Sequence, residues 1–204
     1  AIAAKLLGEL GITVDAYVES IGPVSISMDR FNLEEARRNP TGMPDAEASA
    51  QAEEYLQKCI ENQDSAGGVV SCKVHGMPAG IGEPVFDKLD ACLGQAVMSI
   101  GAVKAFAVGD GCEVSKKNGS TNNDAFCNVN GQISKKTNHA GGILGGISDG
   151  SDIILRAYFK PTPSIYQKQQ TVNQAGEEIE IQIKGRHDPI VVSRAVVVVE
   201  AMTA

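Results

Sequence analysis

The sequence predicts an α+β protein in which long helices pack on mostly antiparallel strands. Apolar residues recur at helical spacing in long segments, whereas several shorter segments alternate apolar and polar residues as half-buried strands do. The order of these helices and strands is typical of the α+β class. Because 204 residues can bury one sizeable core, we expect a single compact unit over residues 1–204.

Helices are predicted where apolar side chains repeat every three or four residues. The first lies at the start of the chain and ends at Gly11. The second follows Pro44, has Asp45 as its N-cap and extends to about Asn62. The third runs from Phe86 to Ile100.

Strands are predicted where apolar and polar residues alternate or β-branched residues cluster. These segments are 12–18, 69–74, 103–108, 153–159, 165–172 and 178–184. Polar or glycine-rich connections cover 28–44, 77–84, 115–125 and 139–150, the first of them with room for one helical turn. The end of the chain has two interpretations, because its β-branched content favours a buried strand while Pro189 favours the first turn of a helix.

The charge and composition of the chain argue against several classes of partner. The formal net charge is −7, the opposite of what binding to nucleic-acid phosphates requires, although a few converging cations still suffice for a small anion. We see no apolar run of about 20 residues for a membrane span and no signal segment. The five cysteines form no CxxC pair, so we expect free thiols in a reducing cytoplasm and no metal site.

Three segments contain residue types suited to binding or catalysis. Glycines in His139–Gly150 would let backbone N–H groups approach a ligand, but a purely structural turn is equally consistent with them, and His139 alone is more typical of a structural histidine. Lys160–Ser164 presents one cation and two hydroxyls on a proline-stiffened loop, which suits a phosphate group, although a solvated turn that happens to hold a lysine is favoured on this segment alone. Gly185–Pro189 places an arginine, a histidine and an aspartate before a strongly apolar run, with a surface ion pair of little energetic value as the alternative to a functional role.

Together these segments resemble one known family. Residues 83–106, 138–150, 160–165 and 185–202 occur in the order and spacing typical of chorismate synthases, and the chain is identified as a member of that family. The resemblance implies the family fold, in which antiparallel sheets sandwich long helices. It also implies a cytoplasmic homotetramer in the full-length form.

The resemblance implies a reaction and a cofactor as well. Chorismate synthases act on a small phosphate ester, 5-enolpyruvylshikimate-3-phosphate, and form chorismate by anti-1,4-elimination of phosphate. Reduced FMN is required although there is no net redox change. Whether a partner reductase or the protein itself reduces the flavin is left open, with NADPH as a candidate reductant.

Individual roles carry over from matching positions of the family. Asp188 matches the carboxylate that assists proton transfer, and Arg186 matches an arginine beside both flavin and substrate. The other positions matched to flavin binding are Gly101, Ala102, Gly145, Lys160, Pro161, Thr162, Pro163 and Ser164. The chain departs from the family pattern at Pro163, where Thr or Ser is usual, and at Asp149, where Asn or Ser is commoner.

The start of the chain suggests that the family's N-terminal part is absent. The first helix begins without an N-cap residue or an initiator methionine. The family's histidine motif and most of its phosphate-binding arginines do not occur in these 204 residues, so we expect the chain alone to be inactive. Two other classes stay open from the residues alone: a module that binds an anionic metabolite without chemistry, and a purely structural subunit.

Overall fold

The structure is a computed structural model that describes residues 2–185 and 188–204, and only the backbone of Gln132. Two short 3-10 helices, Met28–Arg30 and Gly111–Lys116, accompany the α-helices. The α-helices of the described residues are α1 (Ile2–Glu9), α2 (Leu33–Arg38), α3 (Ala46–Glu61), α4 (Leu89–Met98), α5 (Gly119–Asn122) and α6 (Val192–Thr203).

Five strands form one sheet, and three further pairs of strands form antiparallel hairpins. The sheet has the order β2 (Val24–Ser25), β1 (Thr13–Ile21), β3 (Gly68–His75), β9 (Ile153–Phe159), β4 (Val103–Val108). The hairpins are β5 (Phe126–Val129) with β6 (Gln132–Lys135), β7 (Ile143–Leu144) with β8 (Ile147–Ser148), and β10 (Gln169–Val172) with β11 (Glu178–Ile181).

The chain folds into two compact units, each built from separate stretches of sequence. The first unit consists of Ala1–Tyr17, Val70–Tyr158 and Ala195–Ala204, and the second of Val18–Val69 and Phe159–Arg194. The core of the first unit includes Val70 and Cys72 of β3, Val97 of α4, and Ile153, Leu155 and Ala157 of β9. The core of the second includes Val18 and Ile21 of β1, Met43, Ala48 and Ala52. The single compact unit expected for the whole chain stays a prediction.

Two predicted helices match the structure closely at one end or both. Helix α3 begins after Asp45, whose carboxylate accepts hydrogen bonds from the backbone N–H groups of Glu47 and Ala48, as an N-cap should. The helix predicted from Phe86 begins only at Leu89, so its first turn was wrong. Glu83 and Asp87 form an antiparallel bridge, which closes a turn and leaves Phe86 90% exposed.

The C-terminal segment is a helix, so the strand interpretation was wrong. Helix α6 begins at Val192, three residues after Pro189. Its buried residues are Val192, Ala195 and Val199, a spacing of three and four that places them on one helical face. The segment is helical although its β-branched residues favour a strand, because packing of the apolar helical face contributes more than intrinsic β propensity.

The strand predictions are confirmed in the five-stranded sheet, whereas the two segments of the β10–β11 hairpin were predicted too long. Strands β1, β3, β4 and β9 confirm the predicted segments to within three residues at each end. Segment 165–172 is a strand only from Gln169, and segment 178–184 only as far as Ile181. In the part of the chain that the structure describes, no helix is long and apolar enough to cross a membrane.

Candidate functional site

The residues matched to flavin binding fall in both units. Gly101, Ala102 and Gly145 belong to the first unit, whereas the loop Lys160–Ser164 belongs to the second, together with Asp188. Arg186 lies outside the described residues. Each unit therefore contains a different part of the predicted set of residues.

The loop Lys160–Ser164 follows β9 directly and is held from two sides. The hydroxyl of Ser65 donates a hydrogen bond to the backbone oxygen of Thr162 (2.7 Å). The backbone oxygen of Pro163 accepts bonds from the Gln169 side chain and from the N–H of Ile165 (both 3.1 Å). The loop is thus anchored through the carbonyl groups of Thr162 and Pro163.

Thr162 contributes a polar atom without a partner. Its hydroxyl oxygen, Oγ1, is buried and has no hydrogen-bond partner among the described residues. Burying an unpaired hydroxyl costs about 1–3 kcal/mol, so such atoms are rare, and a water molecule or a ligand atom usually satisfies them. A hydrogen-bonding cofactor beside this loop would remove that cost.

A cavity of about 290 Å³ lies next to the loop in the second unit. Ser164 and Asp188 both contribute to its wall, together with Ser65, Tyr166 and Pro189. The structure thus brings together two of the predicted site residues that lie 24 positions apart in sequence. Lys160, Pro161, Thr162 and Pro163 do not line this cavity.

Asp188 is held by an arginine that was not singled out from the sequence. The two oxygens of Asp188 contact Nη1 (2.7 Å) and Nη2 (3.2 Å) of Arg194, in the first turn of α6. The Asp188 side chain is 38% exposed, so it combines a fixed orientation with access from the cavity. The two residues lie six positions apart, a separation that no helical or strand period links, so the sequence carried no signal for this pair.

Gly145 occupies a tight hairpin turn in the first unit. With Gly146 it forms the two-residue connection between β7 and β8, and both residues have positive φ (61° and 87°). Such a turn needs two residues that adopt the left-handed region, which explains the glycine pair. A Cβ at Gly145 would meet nothing within 4 Å, so the turn has open space beside it.

Ala102 has an uncommon backbone conformation. Its φ is 71°, one of few positive values at non-glycine residues in the described chain. The neighbouring Gly101 has open space where a Cβ would lie. Left-handed conformations at residues with a side chain cost of order 1 kcal/mol and tend to cluster at functional sites, which is consistent with the role matched to this position.

His139 belongs to a polar cluster in the first unit. Its Nδ1 lies 2.7 Å from an oxygen of Asp110, and the ammonium of Lys117 contacts both side chains. The hydrogen bond from Lys117 is the main cause that lowers the pKa of Asp110. Asp124 accepts bonds from the N–H groups of His139 (2.7 Å) and Ala140 (2.9 Å), which fixes the start of the glycine-rich segment.

Asp149, one of the departures from the family pattern, has a specific partner. The ammonium of Lys135 in β6 contacts its carboxylate, and both side chains are almost fully buried. Burial alone would raise the pKa of Asp149, but the hydrogen bond from Lys135 and the N–H of Ser151 outweigh it and lower the pKa. The ion pair with Lys135, 14 residues earlier, therefore explains why the chain can carry an aspartate at position 149.

The β5–β6 hairpin that supplies Lys135 was also missed from the sequence. Its turn is Asn130-Gly131, with φ of 54° and 86°. An Asn-Gly pair between two short alternating segments is a strong hairpin signal, and it was present in the sequence. Within the described ranges, no group of three or more His, Cys, Asp or Glu side chains is placed to hold a metal ion.

The comparison with known proteins decides the family. The family model described as chorismate synthase matches residues 1–204, the whole chain.

The chain belongs to the chorismate synthase family.

Curated relatives named chorismate synthase match it over its full length. The protein from Lachnoclostridium phytofermentans is 62% identical over 205 residues, and that from Agathobacter rectalis is 56% identical over 204. In both cases the alignment covers 100% of this chain and 56% of the relative. The chain thus spans little more than half the length of the curated relatives it matches.

A solved structure supports the fold of the family. The crystal structure of a chorismate synthase matches with a TM-score of 0.80 at 26% identity, covering 98% of this chain and 57% of that one. The predicted membership of the chorismate synthase family and the predicted fold class are therefore confirmed. The relatives' name denotes a carbon–oxygen lyase, whereas the roles matched to single residues stay predictions.

Proposed function

We propose that this chain forms part of a chorismate synthase that converts 5-enolpyruvylshikimate-3-phosphate to chorismate in aromatic amino-acid biosynthesis. The observation that carries the proposal is the match of the family model to all 204 residues. The reaction breaks one C–O bond to phosphate and one C–H bond. The electron pair of the C–H bond forms one double bond, the existing ring double bond shifts toward the carbon that carries the phosphate, phosphate leaves with the C–O pair, and the proton passes to a base.

The residues of the chain fit a flavin at the positions that the family resemblance suggests. The unpartnered Thr162 hydroxyl is a buried group in need of a hydrogen bond, and Lys160 adds a cation to the same loop. The open space beside Gly101 and Gly145 would allow a planar ring or a phosphate to approach the backbone. Ala102, Pro161, Pro163, Ser164 and Arg186 complete the proposed set.

The chain's own groups have separable tasks in this proposal. When bound, reduced FMN supplies transient electron density and helps to accept the proton. Asp188 holds a carboxylate at the cavity wall, oriented by Arg194, where an oxygen can accept and pass on a proton. Arg186 would supply positive charge for flavin and substrate, and the anchored loop Lys160–Ser164 would hold the cofactor through the Lys160 ammonium and the hydroxyls of Thr162 and Ser164.

The setting of the enzyme follows from the same resemblance. We propose a cytoplasmic homotetramer in the full-length form, with NADPH as a candidate reductant of the flavin. The 204 residues alone are expected not to turn over, because the histidine motif and most arginines of the family do not occur in them. A phosphate-release assay with reduced FMN tests this, and turnover at a rate typical of enzymes would contradict it.

Flavin binding by the second unit can be tested by titration. We expect FMN absorbance and fluorescence to show saturable binding to the 204-residue chain, and Lys160→Ala to weaken it about fivefold or more through loss of one charge interaction. Arg186→Ala should act in the same direction. Lys58→Ala, an exposed lysine of α3, is the matched control. Equal affinity in the Lys160 and Lys58 variants would refute this assignment.

A further inference from the structure

The segment Ser65–Gly67, directly before β3, connects two parts of the proposed site in the second unit. It contacts the loop Lys160–Ser164 and also the residue that follows Asp188. The family resemblance assigns no role to these three residues. All of these contacts lie within the second unit.

Ser65 holds the loop through Thr162. Its hydroxyl donates a hydrogen bond of 2.7 Å to the backbone oxygen of Thr162, which lies 97 positions later in the chain. A serine hydroxyl has a single proton, so Ser65 has none left to donate to a ligand, although it contributes to the cavity wall. The bond fixes the residue whose own buried hydroxyl has no partner among the described residues.

Ala66 holds the backbone next to Asp188. Its N–H donates a hydrogen bond of 2.8 Å to the backbone oxygen of Pro189, and Ala66 and Ile190 form a parallel bridge. Ala66 is only 2% exposed, so water does not compete for this bond. The carboxylate of Asp188 therefore extends from a backbone that is fixed on its C-terminal side.

Gly67 brings the same segment into direct contact with the start of the loop. A Cβ at Gly67 would lie 2.6 Å from the backbone oxygen of Phe159 and 3.2 Å from Cδ of Pro161. The first of these distances is too short for any side chain. The segment thus packs against the loop backbone with no space between them, which limits how far either can shift.

We propose that Ser65 is a positioning residue that fixes the flavin-side loop relative to Asp188. Its hydroxyl holds Thr162 while the next residue holds Pro189, so two consecutive residues set the distance between the loop and the carboxylate. The inference rests on the proposed function, since it requires a flavin at the loop and proton transfer at Asp188. A shift of about 1 Å at a reacting group can slow a reaction about 100-fold, so this single hydrogen bond affects the rate more than the stability.

A hybrid in which residues 1–204 replace the matching segment of the Lachnoclostridium phytofermentans relative provides the assay. We expect Ser65→Ala to lower kcat for phosphate release about tenfold, with KM almost unchanged. Ser65→Thr keeps the hydroxyl and should keep most of the rate. Ser115→Ala is the matched control and should leave kcat unchanged, because the exposed Ser115 hydroxyl also donates to a backbone oxygen but lies in the first unit.

Combination with Asp188→Asn separates positioning from general damage to the structure. In the Asp188→Asn hybrid, Ser65→Ala should slow the reaction far less than in the parent hybrid, because the carboxylate that it helps to position is absent. FMN titration of the 204-residue chain gives a measurement without turnover. There Ser65→Ala should weaken binding about threefold, through the loop that it no longer holds.

The possible failures are distinguishable. An active hybrid in which Ser65→Ala changes neither kcat nor FMN affinity would overturn this inference alone, and so would equal slowing in the parent and Asp188→Asn hybrids. A folded hybrid without turnover before any substitution would overturn the proposed function and this inference with it. Circular dichroism confirms the fold of each variant, and Ser65→Cys, whose thiol is a weaker donor, replaces Ser65→Ala if that variant does not fold.

Discussion

The side chains of Lys135 and Asp149 form an ion pair in which only 4% and 8% of their surfaces remain exposed. The pair links strand β6 to the residues just after β8 in the first unit. Removing one member of a buried pair leaves an uncompensated charge, which costs about 3–5 kcal/mol. We therefore expect Asp149→Ala to lower the free energy of unfolding by about 3 kcal/mol in urea denaturation.

The double variant Lys135→Met/Asp149→Ala is the control for that prediction. It removes both charges, so it should be more stable than Asp149→Ala alone. Two results would show that the charges do not stabilise one another as described. One is an Asp149→Ala variant with almost the wild-type free energy of unfolding. The other is a double variant that is less stable than Asp149→Ala.

Asp45 predicts a pH dependence of stability. Its side chain is fully buried, burial alone would raise its pKa, and hydrogen bonds from Arg30, Ser27 and Ala48 outweigh burial and lower the pKa from 3.8 to about 2. A pKa that is lower in the folded state stabilises the fold above the unfolded value. This contribution is lost as the pH falls from about 4 to about 2.

The midpoint of thermal unfolding, measured by circular dichroism at about pH 4.5 and about pH 2.5, checks this assignment. Acidification should lower the unfolding midpoint of the wild-type chain more than that of Asp45→Asn, because the variant has no group that titrates at this position. At the higher pH the variant should already be less stable, by at least about 1 kcal/mol, since it removes the buried charge that the Arg30 guanidinium and the Ser27 N–H contact. An equal fall of the unfolding midpoint in both proteins between the two pH values would contradict the assigned pKa.

Gly109 lies where two segments of the first unit approach too closely for a side chain. Its φ is 57°, and a Cβ there would lie 2.1 Å from the backbone oxygen of His139. We expect Gly109→Ala to destabilise the protein by about 2 kcal/mol or more, through overlap and strain together. Gly119→Ala, where a Cβ meets nothing within 4 Å, should change the midpoint of urea unfolding little. Similar effects of the two substitutions would contradict the close approach.

Elements with a long apolar period were predictable from sequence, and so was the N-cap of α3. Asp45 before an apolar stripe predicts α3 because the cap and the spacing agree. The C-terminal helix was ambiguous, because its valines favour a strand by propensity while Val192, Ala195 and Val199 follow a helical spacing. Only burial shows which of the two signals prevails.

The candidate site was predictable in part. Ser164 and Asp188 were singled out in advance, and the structure places both at one cavity. Arg194, Lys135 and Lys117 were not, because each forms its ion pair through tertiary structure, with partners 6 to 14 residues away in the chain. Periodicity describes one element at a time, so it contains no information on which charges the fold brings together.

We propose that this chain supplies Asp188 and the flavin-side loop of a chorismate synthase. A hybrid in which residues 1–204 replace the matching segment of the Lachnoclostridium phytofermentans relative tests it most directly. We predict that the hybrid releases phosphate from 5-enolpyruvylshikimate-3-phosphate only with reduced FMN. Asp188→Asn should slow it about 100-fold, whereas Asp64→Asn, in the wall of the same cavity, should not. A folded hybrid without activity, or one in which the two variants are equally active, would contradict the claim.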